Sequence, residues 1–393
     1  MKSVLEGKNI LLGVSGGIAV YKILELCSRL NKENANLSII MTPSAREFIN
    51  PIAFETMGRT KVYTDLFSGT NDIVHHVELA KWADLFLIAP ATANTIAKMA
   101  NGIADNFLTS TYLAYNKELI LAPAMNTNML NNKATIKNIN TLKEYGARII
   151  KPEPGILACN TIGDGRMEEP ANIVEYLKDY FTKKDLKGKK IIVSAGPTVE
   201  PIDYVRYITN KSSGKMGYNI ALEAKRRGAE VVLVSGPVNP MEVPGLIKID
   251  VRENIQMQDA IDRYFDKADA LIMAAAPVDY KVLNPSDIKI KKTGKDLDLN
   301  LVENVDIVKY FSNKKNKQVI IGFAAETNDL IDNAKKKLIS KNLDYIIAND
   351  LKEQGAGFDG DTNIASIVSH DGVNRLEKMS KKDLANVILD LIR

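Results

Sequence analysis

Three clusters of residues in this chain have the types and spacing to do chemistry. They are a histidine pair, His75 and His76; Cys159, in the glycine-bearing stretch ACNTIGDGRM; and a lysine- and serine-rich stretch, YITNKSSGKMGY, at 207–218. The last looks built for an anion, because Ser212, Ser213, Gly214 and Lys215 follow one another between hydrophobic segments. It does not fit the best-known phosphate loop, which needs glycine five residues before Gly214 and a hydroxyl residue after Lys215. Thr209 and Met216 stand there instead. A second anion candidate is GVSGGIAVYK, where backbone N–H groups of Ser15, Gly16 and Gly17 open a helix whose positive end can receive a phosphate. Glycine turns of this kind also serve packing alone. In APATANTIAK a strand ends in small and hydroxyl residues, which leaves room for a flat ring system or simply marks a helix capped by Thr92.

These clusters need a scaffold, and the hydrophobic patterning supplies one. Short β-rich runs, NILLGVS, LSIIMT, DLFLIAP and ELILAPA, alternate with amphipathic stretches predicted to be helical at 18–30, around REFINPIAFETM, up to residue 115, and at 169–181. That rhythm predicts a doubly wound parallel sheet. TKKDLKGKK is charged and lacks apolar periodicity, which reads as a linker. A second α/β rhythm begins at KIIVSAGP and continues through VVLVSG, ALIMAAA, QVIIGFAAET and DYIIAND. Two α/β domains are expected, 1–185 and 186–393.

Composition bounds the rest. The 393 residues are 45% hydrophobic and 25% charged, with a formal net charge of +4 and acidic residues interleaved throughout, so no basic stripe for nucleic acid is present. Two cysteines, Cys27 and Cys159, are too few for a disulfide framework, and the N-terminus lacks a signal-peptide pattern. A cytoplasmic protein with no membrane span is expected.

Taken together, GVSGGIAVYK, HHVELAKWADL, APATANTIAK, LAPAMNTNML and ACNTIGDGRM resemble the flavin-dependent phosphopantothenoylcysteine decarboxylases. The resemblance implies a flavodoxin-like domain that binds FMN through Ser15, Gly16, Gly17, Thr42, Ala89, Pro90, Ala91, Thr92, Asn94 and Met125. It also implies His76, Asn126 and Cys159 as the catalytic set. A cysteinyl carboxylate cannot leave as CO2 without an electron sink, and oxidation of the neighbouring CH2–SH to a thioaldehyde provides one. Decarboxylation then gives an enethiol. His76 suits thiol deprotonation, Asn126 can hold the carboxylate without adding charge, and Cys159 would donate the proton on reduction. Two positions depart from the family pattern: Asn160 where glycine is usual, and Leu130 where tryptophan or tyrosine is usual.

The second half, from SAGPTVEPIDYVRYITNKSSGKMGYNIA through AAAPVDYK, IKIKK, VDIV, GFAAET and AKKKLISKNLDYIIAND, resembles the phosphopantothenate–cysteine ligases. That likeness implies a Rossmann-like domain in which the substrate carboxylate attacks the α-phosphate of CTP, with Mg2+, giving an acyl-cytidylate and pyrophosphate. Asn210 and Lys289 would act on that intermediate. The nucleotide would meet Ala274, Ala275, Ala276, Asp279, Lys289, Val305, Asp306, Ile307, Val308, Phe323, Lys337 and Lys341. The loop at 210–217, with Ser212, Ser213, Gly214 and Lys215, would hold phosphopantothenate. Lys291, Lys292, Lys335 and Lys336 are expected to be exposed. By the same resemblance, trimers through the first half and dimers through the second build a homo-oligomeric dodecamer. A nicotinamide-dependent oxidoreductase fits less well because no GxGxxG is present, and a non-catalytic flavin-binding regulator fits less well because His76 and Cys159 are both retained.

Overall fold

The computed structural model describes residues 3–66, 75–156, 162–239, 241, 243, 245–292, 294, 296–326, 329–350 and 360–393. The chain divides into two compact units, 2–182 and 183–393.

The first unit is built on a six-stranded parallel sheet whose strands are β1 (Asn9–Val14), β2 (Asn36–Met41), β3 (Val62–Tyr63), β4 (Leu85–Ala91), β5 (Leu119–Pro123) and β6 (Arg148–Ile149). Their spatial order is β3-β2-β1-β4-β5-β6. Because the chain reverses its direction of travel across the sheet after β3, a crevice opens at the carboxyl ends of β1 and β4, where doubly wound folds bind ligands. Helices cover both faces, so the strands are apolar on both sides. Helix Tyr21–Lys32 shows the pattern that buries one stripe, with Ile23, Leu26, Cys27 and Leu30 all fully buried. Burial pushes the Cys27 thiol up to about 12, which makes it a packing residue.

Two helices differ from expectation. The stretch at 18–30 is a 3-10 turn, Ile18–Val20, followed by the helix Tyr21–Lys32. REFINPIAFETM is interrupted: Pro43–Arg46 and Pro51–Gly58 are separate helices, because Pro51 has no N–H to continue a helix and Asn50 caps the second one by accepting from Ile52 N at 3.1 Å.

The second unit carries eight strands in the order Ile247–Asp250, Glu230–Ser235, Lys190–Ala195, Ala270–Met273, Val319–Glu326, Tyr345–Asp350, Ala365–Ser369 and Gly372–Arg375. The first six run parallel, and the last two form an antiparallel edge. Two short antiparallel ribbons, Val199–Pro201 with Tyr207–Thr209 and Tyr280–Val282 with Leu301–Glu303, stand outside this sheet. Leu186, inside the charged stretch TKKDLKGKK, is fully buried in the core of this unit. Nearby, buried Arg227 bonds Asp185 at 2.9 Å and Asp390 at 2.8 Å, and Arg393 donates to Asp185 at 2.9 Å. Both ends of the unit therefore meet in one ion cluster.

Candidate active sites

In the first unit a cleft of about 1000 Å3 opens at the carboxyl ends of the central strands, and Gly16, Gly17, Thr42, Thr92, Asn94, Met125 and Asn126 line it. Ser15, Ala89, Pro90 and Ala91 are buried. Ser15 acts as a clasp: its hydroxyl donates to Pro90 O at 2.6 Å and accepts from Thr92 N at 3.0 Å, which locks the β1 and β4 ends together. Gly16 is there because two loops touch; a Cβ would lie 2.5 Å from the Ser44 side chain. Thr42 Oγ1 is buried without a hydrogen-bond partner, so a donor or acceptor from a ligand would complete it. The cations on the rim are matched to carboxylates. Buried Lys22 reaches Glu169 at 2.8 Å and Met167 O at 3.0 Å, Arg166 also pairs with Glu169, and Lys98 holds Asp105 at 2.5 Å. That hydrogen bond from Lys98 keeps the Asp105 carboxyl below its usual range.

Asn126 caps the short helix Thr127–Leu130 by accepting from Asn128 N at 2.8 Å. Against this segment lies the hairpin Glu153–Ile156 with Ile162–Arg166. Met125 N donates to Gly165 O at 3.0 Å, and Thr127 Oγ1 donates to Asp164 O at 2.7 Å. Gly165 has φ +134, and a Cβ there would stand 2.1 Å from Met125 O, so the two backbones pack with nothing between them. Cys159 and Asn160, in the connection of this hairpin, lie outside the described residues. His76 is the second residue of the helix His75–Trp82, its ring edge-on to Phe107 at 6.3 Å, and His75 tilts against Tyr63 at 5.6 Å. Asn126 thus joins the expected flavin residues at one cleft, but His76 is not among the residues of its own chain that line it.

The second unit holds a cavity of about 620 Å3. Asn210, Ser212, Ser213, Gly214 and Lys215 line one side; Ala274, Ala275, Ala276, Asp279, Val305, Asp306, Ile307, Val308, Phe323, Lys337 and Lys341 line the rest. Gly214 (φ +72) begins the helix Lys215–Arg226, and Gly217 lets that helix rest on the central strand, since a Cβ there would be 2.6 Å from Ala195. Lys215 pairs with Asp361 at 2.7 Å, a hydrogen bond that holds Asp361 below the usual carboxylate range. Asn210 Nδ2 donates to Pro277 O at 2.8 Å, which ties the 210–217 loop to the loop after Met273. Asp306 caps the helix Ile307–Lys314 and receives Lys341 at 2.9 Å. Lys335 and Lys336 are exposed, whereas Lys337 and Lys341, one helical turn apart, face the cavity.

Lys289 is exposed and does not line the cavity. Its segment, with exposed Lys291 and Lys292, is tied down through Ile290, whose O accepts from Arg206 at 2.8 Å and whose N donates to Asp203 at 3.0 Å. Sequence reasoning missed Lys22, Asn349, with its buried unpartnered Oδ1, and a polar set of buried Thr198, Glu200 and Asn254 with half-buried Asn304. For Thr198, Glu200 and Asn304 the signal was polar residues set among apolar neighbours in PTVEP and VENV; Asn254, in the polar stretch REN, carried none. Among the described residues no group of three or more His, Cys, Asp or Glu is placed to hold a metal ion, and no helix is long and apolar enough to cross a membrane.

Residues 1–182 match the family described as Flavoprotein, and residues 186–393 match the DNA/pantothenate metabolism flavoprotein C-terminal domain family. The coenzyme A biosynthesis bifunctional protein CoaBC of Bacillus subtilis (strain 168) is 46% identical over 395 residues, covering 99% of this chain and 97% of that one. Its counterpart in Vibrio cholerae (serotype O1, strain El Tor Inaba N16961) is 41% identical over 392 residues, covering 99% and 98%. The counterpart in Escherichia coli (strain K12) is 40% identical over 394 residues, covering 99% and 97%.

Proposed function

This chain belongs to the family of bifunctional coenzyme A biosynthesis proteins, and from that premise we propose how its residues divide the work. The enzyme ligates cysteine to 4'-phosphopantothenate and decarboxylates the product, 4'-phosphopantothenoylcysteine, to 4'-phosphopantetheine.

Ligation is assigned to the cavity of the second unit, with CTP as the activating co-substrate. The observation that carries the assignment is convergence: the 210–217 loop, Ala274 to Asp279, Val305 to Val308, Phe323 and the Lys337/Lys341 face come from separate stretches of sequence and line one space. The phosphopantothenate carboxylate attacks the α-phosphate of CTP, pyrophosphate leaves, and the cysteine amine displaces CMP from the mixed anhydride. Negative charge grows on phosphoryl oxygens, where Lys337, Lys341 and Mg2+ carried by the triphosphate stabilise it. Asn210 and the serines of the loop hold the acyl end. We keep Lys289 in this scheme through the dimer implied by resemblance. Exposed Tyr204, Tyr207, Tyr280 and Ile288 on the same unit support such a contact.

Decarboxylation is assigned to the cleft of the first unit, with FMN as the cofactor. The orphaned Thr42 hydroxyl, the close loop approach at Gly16 and the capped helix start at Thr92 suit a flavin and its phosphate. When bound, FMN would supply the oxidation that makes loss of CO2 possible and the later return of hydride. Asn126 orients the substrate carboxylate by its amide. Cys159, whose hairpin is tied to the Asn126 segment at 164 and 165, delivers the proton that completes reduction of the enethiol. His76 assists thiol deprotonation, and we place it at the cleft of a neighbouring copy in the homo-oligomer.

The test gives the purified protein 4'-phosphopantothenate, cysteine, CTP and magnesium, and follows pyrophosphate and CO2. Release of both is expected. Pyrophosphate without CO2 would refute the assignment of the first cleft, with Asn160 and Leu130 the first positions to revert.

A further inference from the structure

Asn254, the first residue of the helix Asn254–Phe265, is 1% exposed and bonds three loops at once. Its Oδ1 accepts from Thr198 Oγ1 at 2.5 Å, and its Nδ2 donates to Val278 O at 2.9 Å and to Val305 O at 3.4 Å. Thr198, fully buried, also accepts from Val278 N at 2.9 Å. Buried Glu200 accepts from Asn254 N at 3.0 Å and from Asn304 Nδ2 at 2.8 Å. The residue types follow from the geometry: an amide presents a donor and an acceptor together, and a hydroxyl gives and receives at one atom.

Two of the three loops carry nucleotide-facing residues, since Asp279 follows Val278 and Asp306 follows Val305. The third leads to the phosphate loop. Thr198 O accepts from Thr209 Oγ1 at 2.8 Å, next to Asn210. The network therefore ties both loops that carry nucleotide-facing residues to the strand that leads into the 210–217 loop.

We infer that Thr198, Glu200, Asn254 and Asn304 are positioning residues for the ligation step, fixing the two nucleotide loops relative to the 210–217 loop. The inference rests on the placement of CTP in this cavity. None of the four has to touch a reacting atom. Their effect is on alignment, where a displacement of about 1 Å can cost on the order of a hundredfold in rate, and a half-satisfied buried network is the way such a displacement arises.

The experiment compares Thr198→Val, which keeps the volume and removes the hydroxyl, with Thr198→Ser, which keeps the hydroxyl. Both are made in the full chain. Thr198→Val is expected to lose at least about tenfold in the kcat of CTP-dependent pyrophosphate release, with the KM for phosphopantothenate within about twofold of wild type. Thr198→Ser recovers most of the rate. CO2 release from added phosphopantothenoylcysteine is unchanged in both. Asn304→Leu, at a less buried point of the same network, gives the same split if Thr198→Val does not fold. Wild-type ligation kinetics in Thr198→Val, or equal impairment in Thr198→Ser, overturns the inference while leaving the CTP reading intact. A wild-type enzyme that releases no pyrophosphate with CTP overturns both.

Discussion

Gly165→Ala separates the two activities of this enzyme through one methyl group. The glycine has φ +134, a backbone conformation that costs an L side chain about 1–3 kcal/mol. A Cβ there would lie 2.1 Å from Met125 O, and ordinary van der Waals contact begins at 3.4 Å, so hairpin and loop must part by roughly 1.3 Å. The atom in the way is backbone, so no rotamer change relieves it. That separation would break the Met125 N to Gly165 O bond and move the hairpin that carries Cys159 away from Asn126. Misplacement on this scale lowers rates by about a hundredfold. The assay follows phosphopantetheine formation from added phosphopantothenoylcysteine, with pyrophosphate release by the other unit as the internal control. Decarboxylation should fall by about a hundredfold while ligation is unchanged. Gly163→Ala, whose Cβ would meet the Thr127 hydroxyl at 2.4 Å, should be milder, because that side chain can turn at the loss of its bond to Asp164 O. Wild-type decarboxylation in Gly165→Ala would refute the idea that the hairpin base sets the cysteine.

Three other outcomes are expected. Mixed oligomers of His76→Asn and Asn126→Asp, each inactive alone in decarboxylation, should regain activity at about a quarter of their sites after reassociation; no recovery would put His76 to work within its own chain. Cys159→Ser, mixed with phosphopantothenoylcysteine without oxygen, should bleach the flavin and accumulate the enethiol, because a serine hydroxyl is a far weaker acid than a thiol. Unbleached flavin and intact substrate would mean that Cys159 acts earlier. Burial alone would raise the Asp185 carboxyl, but the hydrogen bonds from Arg227 and Arg393 more than offset it and leave it below its usual range. A carboxyl lowered in the folded state stabilises fully above its unfolded value of about 3.9 and loses that contribution as pH falls through the folded value. Acid unfolding of the second unit should therefore steepen below about pH 4 and flatten in Asp185→Asn, and identical acid limbs would contradict the lock.

The parts of the fold legible in the sequence were those whose signal is local. In DLFLIAP the strand Leu85–Ala91 is buried throughout, and residues 320–322 within QVIIGFAAET are buried in succession, so apolar continuity marks these runs as strands without knowledge of their neighbours. The strand Gly372–Arg375 escaped, because it is wholly exposed and has no apolar pattern to read. The hairpins at 153–166 and 199–209 escaped as well, since each is held by bonds to distant loops. The interrupted helix at 43–58 was readable from Asn50–Pro51, a dipeptide that stops one helix and starts another. At the sites, clustered types such as NKSSGK were visible, whereas Thr198 and Asn254, 56 positions apart, are meaningful only once the chain between them has folded back. Lys289 marks the opposite limit: its type suits phosphate chemistry, but its place in one copy of the chain does not bring it to the cavity.

The ion cluster at Asp185, Arg227, Asp390 and Arg393 makes the second unit nearly circular. Asp185 near its start and Arg393 at its end are neighbours in space, so those two ends could be joined without spanning the sheet between them. A rearranged gene that joined these ends and opened the chain among the exposed residues 296–298 would encode the same packed layers in a different order. Recombination can attach another module to either terminus of such a unit while leaving its interior register alone.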